Sequence, residues 1–226
     1  LKSAFLSYMC KSSVIGLDAK SAREYPAHLA YKNKIRVSKE MHAVERQKLL
    51  LASALSYKPN TENNDYGISK VKFKKPLEMP SYNYAICVQN ASWITKQWPI
   101  ESWKELLRIL EKRDINLLFP SGNQEEFDRA NEICSVSEKA LALEVLPLNE
   151  IAFLIDNSEF TLCSDTGLAH LSAVVGTPSL TLYGPTDTRL IGTYGKDQNH
   201  FVSPDSNISK ISVEDVLAKL ENLNFI

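Results

Sequence analysis

From Tyr84 onward, short apolar runs alternate with stretches whose apolar residues recur every three or four positions. The runs Tyr84 to Gln89, Ile115 to Phe119, Ala142 to Leu146, Phe160 to Cys163 and Ser179 to Tyr183 have the length and flanking turn residues of strands. Between them, Trp103, Leu106, Leu107 and Leu110 form one helical stripe behind Pro99, a residue suited to a helix start, and Ile151, Leu154 and Ile155 form another. Strand and helix alternating in this way bury both faces of a parallel sheet, so the pattern predicts an α/β, Rossmann-like half.

The chain before about Thr61 reads differently, with a helix over Ala43 to Leu55 and a less regular, basic stretch ahead of it. The polar, turn-rich segment Lys58 to Asp65 is the natural linker. Ser212 to Leu223 closes the chain as an amphipathic helix with Ser212 at its cap, of a kind that could pack back across a domain boundary, although the sequence alone does not place it. The expected division is residues 1–61, a body over 62–211, and a terminal helix over 212–226.

With 44% hydrophobic and 23% charged residues, the 226-residue chain has the composition of an ordinary globular protein. Its apolar runs, such as Ile151 to Ile155 and Ala173 to Val175, fall far short of the roughly 18 residues needed to cross a bilayer. Four cysteines without a Cys-x-x-Cys pair argue against a disulfide framework or a structural zinc, so a reducing compartment, the cytosol, is expected. The sequence opens on Leu1 with neither an initiator Met nor a signal-peptide pattern, and further residues upstream are expected. Charge is unevenly spread. Residues 1–58 hold 11 Lys and Arg against 4 Asp and Glu, while the remainder holds 15 against 23. A basic segment beside an acidic body suits an anionic partner, be it phosphate, carboxylate, membrane surface or nucleic acid; Lys32, Lys34, Arg36 and Lys39 read equally well as a solvated surface.

The densest chemistry lies in Cys163-Ser-Asp-Thr-Gly-Leu-Ala-His170, where a strand runs into a helix. Ligands of parallel sheets bind at that kind of junction, and the amides of Thr166 and Gly167, with the positive end of the helix dipole, offer a phosphate site. Gly167 lets a ligand come close to the backbone. The plainer alternative is that Asp165 or Thr166 only caps the helix. His170, four residues after Thr166, shares its helix face and could reach a phosphate or sugar, although a single histidine is more often structural and no second one at ligand spacing points to a metal. The strand Ser179 to Tyr183 runs into Gly-Pro-Thr-Asp, a turn that brings Thr186 to the same edge. Lys96, in the loop Asn90 to Pro99, is a point charge suited to a diphosphate or else an exposed lysine, and the loop Pro120 to Glu126 offers a carboxylate to a ribose. The sequence holds no Gly-x-Gly-x-x-Gly, no Gly-x-x-x-x-Gly-Lys-Ser/Thr, no Gly-x-Ser-x-Gly and no Asp-x-Asp, which disfavours a dehydrogenase, a P-loop NTPase, a hydrolase and a metal-held diphosphate.

Asp165-Thr-Gly-Leu-Ala-His-Leu, Leu182-Tyr-Gly-Pro-Thr-Asp187 and Leu190-Ile-Gly-Thr-Tyr-Gly195 together resemble the lipopolysaccharide heptosyltransferases, and among them the heptosyltransferase I branch. The resemblance extends through Lys96-Gln-Trp-Pro-Ile-Glu-Ser-Trp103, Ala22-Arg-Glu24 and His42-Ala-Val-Glu-Arg46, nearly the whole chain. It implies a GT-B glycosyltransferase of two Rossmann-like domains, with the carboxyl-terminal one retained here beside a remnant of the amino-terminal one. The implied reaction moves L-glycero-D-manno-heptose from ADP-heptose to the Kdo of Kdo2-lipid A without a metal or other cofactor. By the same resemblance, Lys96, Thr166 and Gly167 hold the diphosphate, with Lys96 stabilising the leaving group. Asp165 and His170 contact the donor, Ser92 stands where the family has a threonine, Glu126 reaches the ribose, and Arg23 binds the acceptor. Leu146 or Leu148 stands where the family packs a methionine near the adenine, and the aspartate expected as general base belongs to a loop upstream of Leu1. Peripheral contact with the cytoplasmic face of the inner membrane is implied, and nucleic acid is not. The rival readings are a noncatalytic ADP-sugar-binding module and a heptosyltransferase acting on an already heptosylated acceptor.

Overall fold

The computed structural model describes residues 2–10, 12–59, 65–68 and 70–226. It divides into two compact units, one of residues 1–63 with Arg189–Ile191 and one of residues 64–188 with 192–226. The expected linker falls largely on residues 60–64, outside the described residues.

The first unit contains α1 (Lys2–Tyr8), β1 (Ile15–Leu17), β2 (Asn33–Ile35) and α2 (Ala43–Leu55). Strands β1 and β2 form a two-stranded parallel sheet with Ile15 opposite Asn33 and Leu17 opposite Ile35. Helix α2 has the bounds its apolar spacing predicts. His42 caps it by accepting from the Val44 amide, and Ser56 ends it in the left-handed conformation.

The chain continues in the order β3 (Ala85–Val88), α3 (Ile100–Glu111), β4 (Leu117–Phe119), α4 (Gln124–Cys134), β5 (Ala140–Ala142), α5 (Leu148–Asp156), β6 (Thr161–Ser164), α6 (Gly167–Val175), β7 (Ser179–Tyr183), α7 (Thr188–Ile191), β8 (Gln198–Val202) and α8 (Val213–Asn222), all in the second unit except α7, whose residues Arg189–Ile191 group with the first. The six strands form one parallel sheet in the order β5-β4-β3-β6-β7-β8. Alternate residues of each strand face opposite layers. Cys87, Leu117, Phe119, Leu162, Leu180 and Leu182 join α3, α4 and α8 on one side. Ile86, Val88, Leu118 and Cys163 join α5 and α6 on the other.

Two sequence expectations need correction, and one strand has no counterpart among them. The strand expected over Ala142 to Leu146 forms at Ala140–Ala142 instead, because this half-exposed edge strand carries no apolar alternation to fix its register. Strand β8 escaped notice because its polar residues are satisfied locally, Gln198 by the Ser179 hydroxyl at 2.6 Å and His200 by Thr193 at 2.8 Å. Finally, the loop Pro120 to Glu126 ends early: Asn123 accepts from the Glu126 amide and caps α4, so Glu126 sits in its first turn. The terminal helix α8 is capped by Ser212, as its sequence predicts, and sinks Val213, Val216 and Leu220 into the core of the second unit.

Candidate functional site

The order of the sheet decides where a site can form. From β3 the chain moves outward through β4 to β5, then returns to the other side of β3 with β6 and moves outward again through β7 to β8. The carboxyl ends of β3 and β6 therefore flank a topological switch point, the place where open α/β sheets bind ligands. The loops that begin there are Gln89 to Pro99 and Asp165 to Thr166, the two segments richest in candidate chemistry.

At that edge Lys96 and Asp165 meet, Nζ to Oδ2 at 2.8 Å, with the carboxylate almost buried and the lysine about a quarter exposed. The Thr186 hydroxyl, arriving from the turn after β7, donates to the same Oδ2. Thr166 occupies the cap position of α6 with extended backbone, yet its side chain makes no capping bond and no acidic residue stands in the first turn. The capping alternative raised by the sequence therefore does not account for Thr166. The first amides of the helix are left for an outside acceptor, with the helix dipole favouring an anion. Gly167 supports this reading. A Cβ at that position would meet nothing within 4 Å, so the fold does not require glycine there. Gly184 contrasts with it, since a Cβ there would lie 2.9 Å from the Ile208 amide nitrogen.

Beside these groups lies a cavity of about 280 Å³. Val88, Leu146, Leu148, Ile151 and Leu168 give it apolar walls; Asn90, Ser92, Ser121, Glu126 and Thr166 supply polar groups. Glu126 turns one oxygen, Oε2, to the Gly122 amide at 2.8 Å, which tethers the carboxylate to the loop after β4. The end of β3 is braced from below. The Gln89 carboxamide donates to the Glu126 carbonyl and accepts from Arg129 Nε at 2.6 Å, while a second Arg129 nitrogen donates to the Trp98 carbonyl at 3.0 Å. Burial of this guanidinium lowers its pKa.

The structure thus gathers Ser92, Lys96, Glu126, Asp165, Thr166 and Gly167 at one edge, with Thr186 behind Asp165. His170 lies one turn into α6 with an exposed side chain. Arg23 belongs to the first unit, where it lines a separate cavity of about 380 Å³ with Leu17, Glu24, Tyr31 and Gln47. Sequence reasoning missed Asn90, Ser121 and Arg129. The first two had one available signal, since each is the second residue after a strand end.

Over residues 1–220 the chain matches glycosyltransferase family 9 (heptosyltransferase). It belongs to that family. Among family 9 relatives, lipopolysaccharide heptosyltransferase 1 of Escherichia coli K12 is 37% identical over 212 residues, 92% of this chain and 65% of its own length. The protein of the same name from Pseudomonas aeruginosa PAO1 is 35% identical over 204 residues, 90% of this chain and 57% of its own length. The chain therefore spans somewhat less than two thirds of the length of these curated relatives. Among solved structures, E. coli heptosyltransferase WaaC with ADP superposes with a TM-score of 0.89 at 32% identity, covering 98% of this chain and 69% of that one. A family 9 protein of Veillonella parvula, with a TM-score of 0.78 at 16% identity, shares the fold.

Proposed function

We propose that the second unit binds ADP-heptose and that the chain serves transfer of the heptose to the Kdo of Kdo2-lipid A. The observation that carries this reading is the Lys96–Asp165 pair at the start of α6, which lacks a side-chain cap, beside a cavity lined by both apolar and polar residues. Support comes from the relatives, which are named lipopolysaccharide heptosyltransferases, and from the solved structures of WaaC with ADP and with ADP-2-deoxy-2-fluoro heptose.

In the transfer an acceptor hydroxyl oxygen bonds to the anomeric carbon as the bond from that carbon to the β-phosphate oxygen breaks. ADP leaves with the electron pair, and the hydroxyl proton passes to a base. Negative charge grows on the departing diphosphate, and groups already in place to meet it lower the barrier. Lys96 and the first amides of α6 are such groups. Glu126 and the apolar walls hold the adenosine, Ser92 contributes a hydroxyl at the phosphate end, and Asp165 and His170 face the sugar. The donor is held by a lysine and amides, so its binding is independent of divalent metal. Arg23, whose planar fork suits a carboxylate, takes the acceptor. The exposed Lys32, Lys34, Arg36 and Lys39 favour peripheral contact with an anionic membrane, each contributing about 1 kcal/mol near the surface. Among the described residues no helix is long and apolar enough to cross one.

Titration calorimetry with ADP, with and without a chelator, tests the donor site. Equal binding in both is expected, and an absolute requirement for metal would overturn the proposed mode of holding the diphosphate.

A further inference from the structure

The polar groups described so far attend to the phosphates, the sugar and one side of the ribose. Two more stand in the same cavity with nothing to bind. Asn90 is 7% exposed and Ser121 2%, and both line the space between the ends of β3 and β4, which are neighbours in the sheet. Their Nδ2 and Oγ atoms have no hydrogen-bond partner among the described residues and are shielded from water, so each side chain must turn toward the cavity to meet a ligand. Buried polar atoms are nearly always paired, and each that is not needs a reason. Among the described residues six side-chain atoms stand unpaired in this way, and the residues of these two share one cavity.

Resting on the donor reading above, we infer that Asn90 and Ser121 are specificity-determining residues that hydrogen-bond the nucleoside half of the donor. The residue types suit that task. A carboxamide nitrogen can only donate, a hydroxyl donates or accepts, and the ring nitrogens and hydroxyls of an adenosine offer partners for both. The apolar walls take the faces of a flat ring, while Asn90 and Ser121 meet its polar atoms, a division of labour common in small-molecule sites. Ser121 lies in the loop after β4, whereas Asn90 opens the loop that also carries Ser92 and Lys96, so pyrophosphate binding shows whether either change reaches the phosphate groups.

The unliganded protein carries two unpaired buried groups as a consequence. Removing such a group without a ligand present leaves stability unchanged or raises it, whereas removing a structural hydrogen bond lowers it. That difference separates a ligand role from a packing role.

The test measures ADP and inorganic pyrophosphate binding by calorimetry, and thermal unfolding of the unliganded protein, for the whole chain and its Asn90→Ala and Ser121→Ala variants. Asn90→Leu, closer in volume, replaces the first should it fold poorly. The expected result is a rise of about tenfold in the Kd for ADP in each variant, no change for pyrophosphate, and a melting temperature equal to or above that of the parent. If the parent binds ADP and both variants bind it equally well, the inference is overturned and the donor site stands. Equal loss of ADP and pyrophosphate with a lowered melting temperature assigns both residues to the fold and also overturns it. If the parent itself binds no ADP, the donor reading falls and takes the inference with it.

Discussion

The carboxyl edge of the sheet and the layer beneath α3, α4 and α8 lie a few residues apart along the chain and are built on opposite rules. In the layer, Trp98 and Trp103 are fully buried, with ring centres 5.2 Å apart and edge to face, and Phe119 extends the stack at 5.7 Å. The Trp98 indole donates to the Ile211 carbonyl at 2.9 Å, joining the loop after β3 to the segment before α8. One group breaks the rule, Trp103 Nε1, which stands unpaired inside the stack. At the edge, small polar residues replace aromatic ones, a helix start has no side-chain cap, and Asn90 Nδ2 and Ser121 Oγ have no partner among the described residues. The layer gains stability from complete packing. The edge gives some of that up and keeps binding groups in position.

The largest break of this contrast comes from Trp103→Ala, which empties the centre of the stack and should cost about 3 to 5 kcal/mol of stability, read from the urea midpoint. If the two regions are independent, the folded variant still binds ADP with nearly the parent affinity. Lys96→Ala should act the other way round. Losing one charge-assisted contact weakens ADP binding by about 1.5 to 3 kcal/mol in calorimetry, and the urea midpoint falls less than for Trp103→Ala, because the almost buried Asp165 carboxylate loses its ammonium partner but keeps the Thr186 hydroxyl. Unchanged ADP affinity would make Lys96 a surface residue. Thr186→Val keeps the shape of the side chain and removes the hydroxyl that donates to Asp165. Binding of ADP-heptose should weaken by about 1 kcal/mol and that of ADP much less if Asp165 faces the sugar, as proposed; a matching loss for both ligands would place Asp165 at the diphosphate.

The gentlest probe leaves the protein unaltered. Burial pushes the thiols of Cys134 and Cys163 up to about 12 and holds that of Cys87 well above its ordinary value. A raised thiol pKa means less thiolate at any given pH, so these three should resist a disulfide reagent in the native protein at pH 8 and at pH 9 alike. Cys10 is exposed and should react. One thiol per chain before unfolding and four after it is the expected count. Rapid labelling of Cys163, two residues before Asp165, would show that the looseness of the edge reaches into the strands.

Legibility followed the same divide. Strands β3, β6 and β7 and helices α2, α3 and α8 stand out in the sequence because each carries its full periodicity and a recognisable cap or start. Strands β1 and β2 have three residues each, too few to display a period, and β5 and β8 lie at sheet edges where burial on both faces no longer dictates composition. In the site, Lys96, Asp165, Thr166 and Gly167 were legible because a strand runs directly into a glycine-bearing helix start and a lone cation stands in the neighbouring loop. Asn90 and Ser121 were not, because a polar residue opening a loop looks like any other until its surroundings show that it is buried. Thr186 was placed at the right edge by its turn, but its hydrogen bond to Asp165 joins residues 21 positions apart and has no local signature.

The pairing of Lys96 with Asp165 also sets a threshold for what can enter. A carboxylate fixed 2.8 Å from the ammonium acts as a tethered competitor, present at an effective concentration that dissolved chloride or acetate does not approach. A single weak anion gains little by displacing it. A diphosphate, which reaches the lysine and the helix amides together, offers more than the tethered group can. On the proposed mode of donor binding, the pair thereby discriminates against single weak anions and favours a ligand that engages two parts of the site at once.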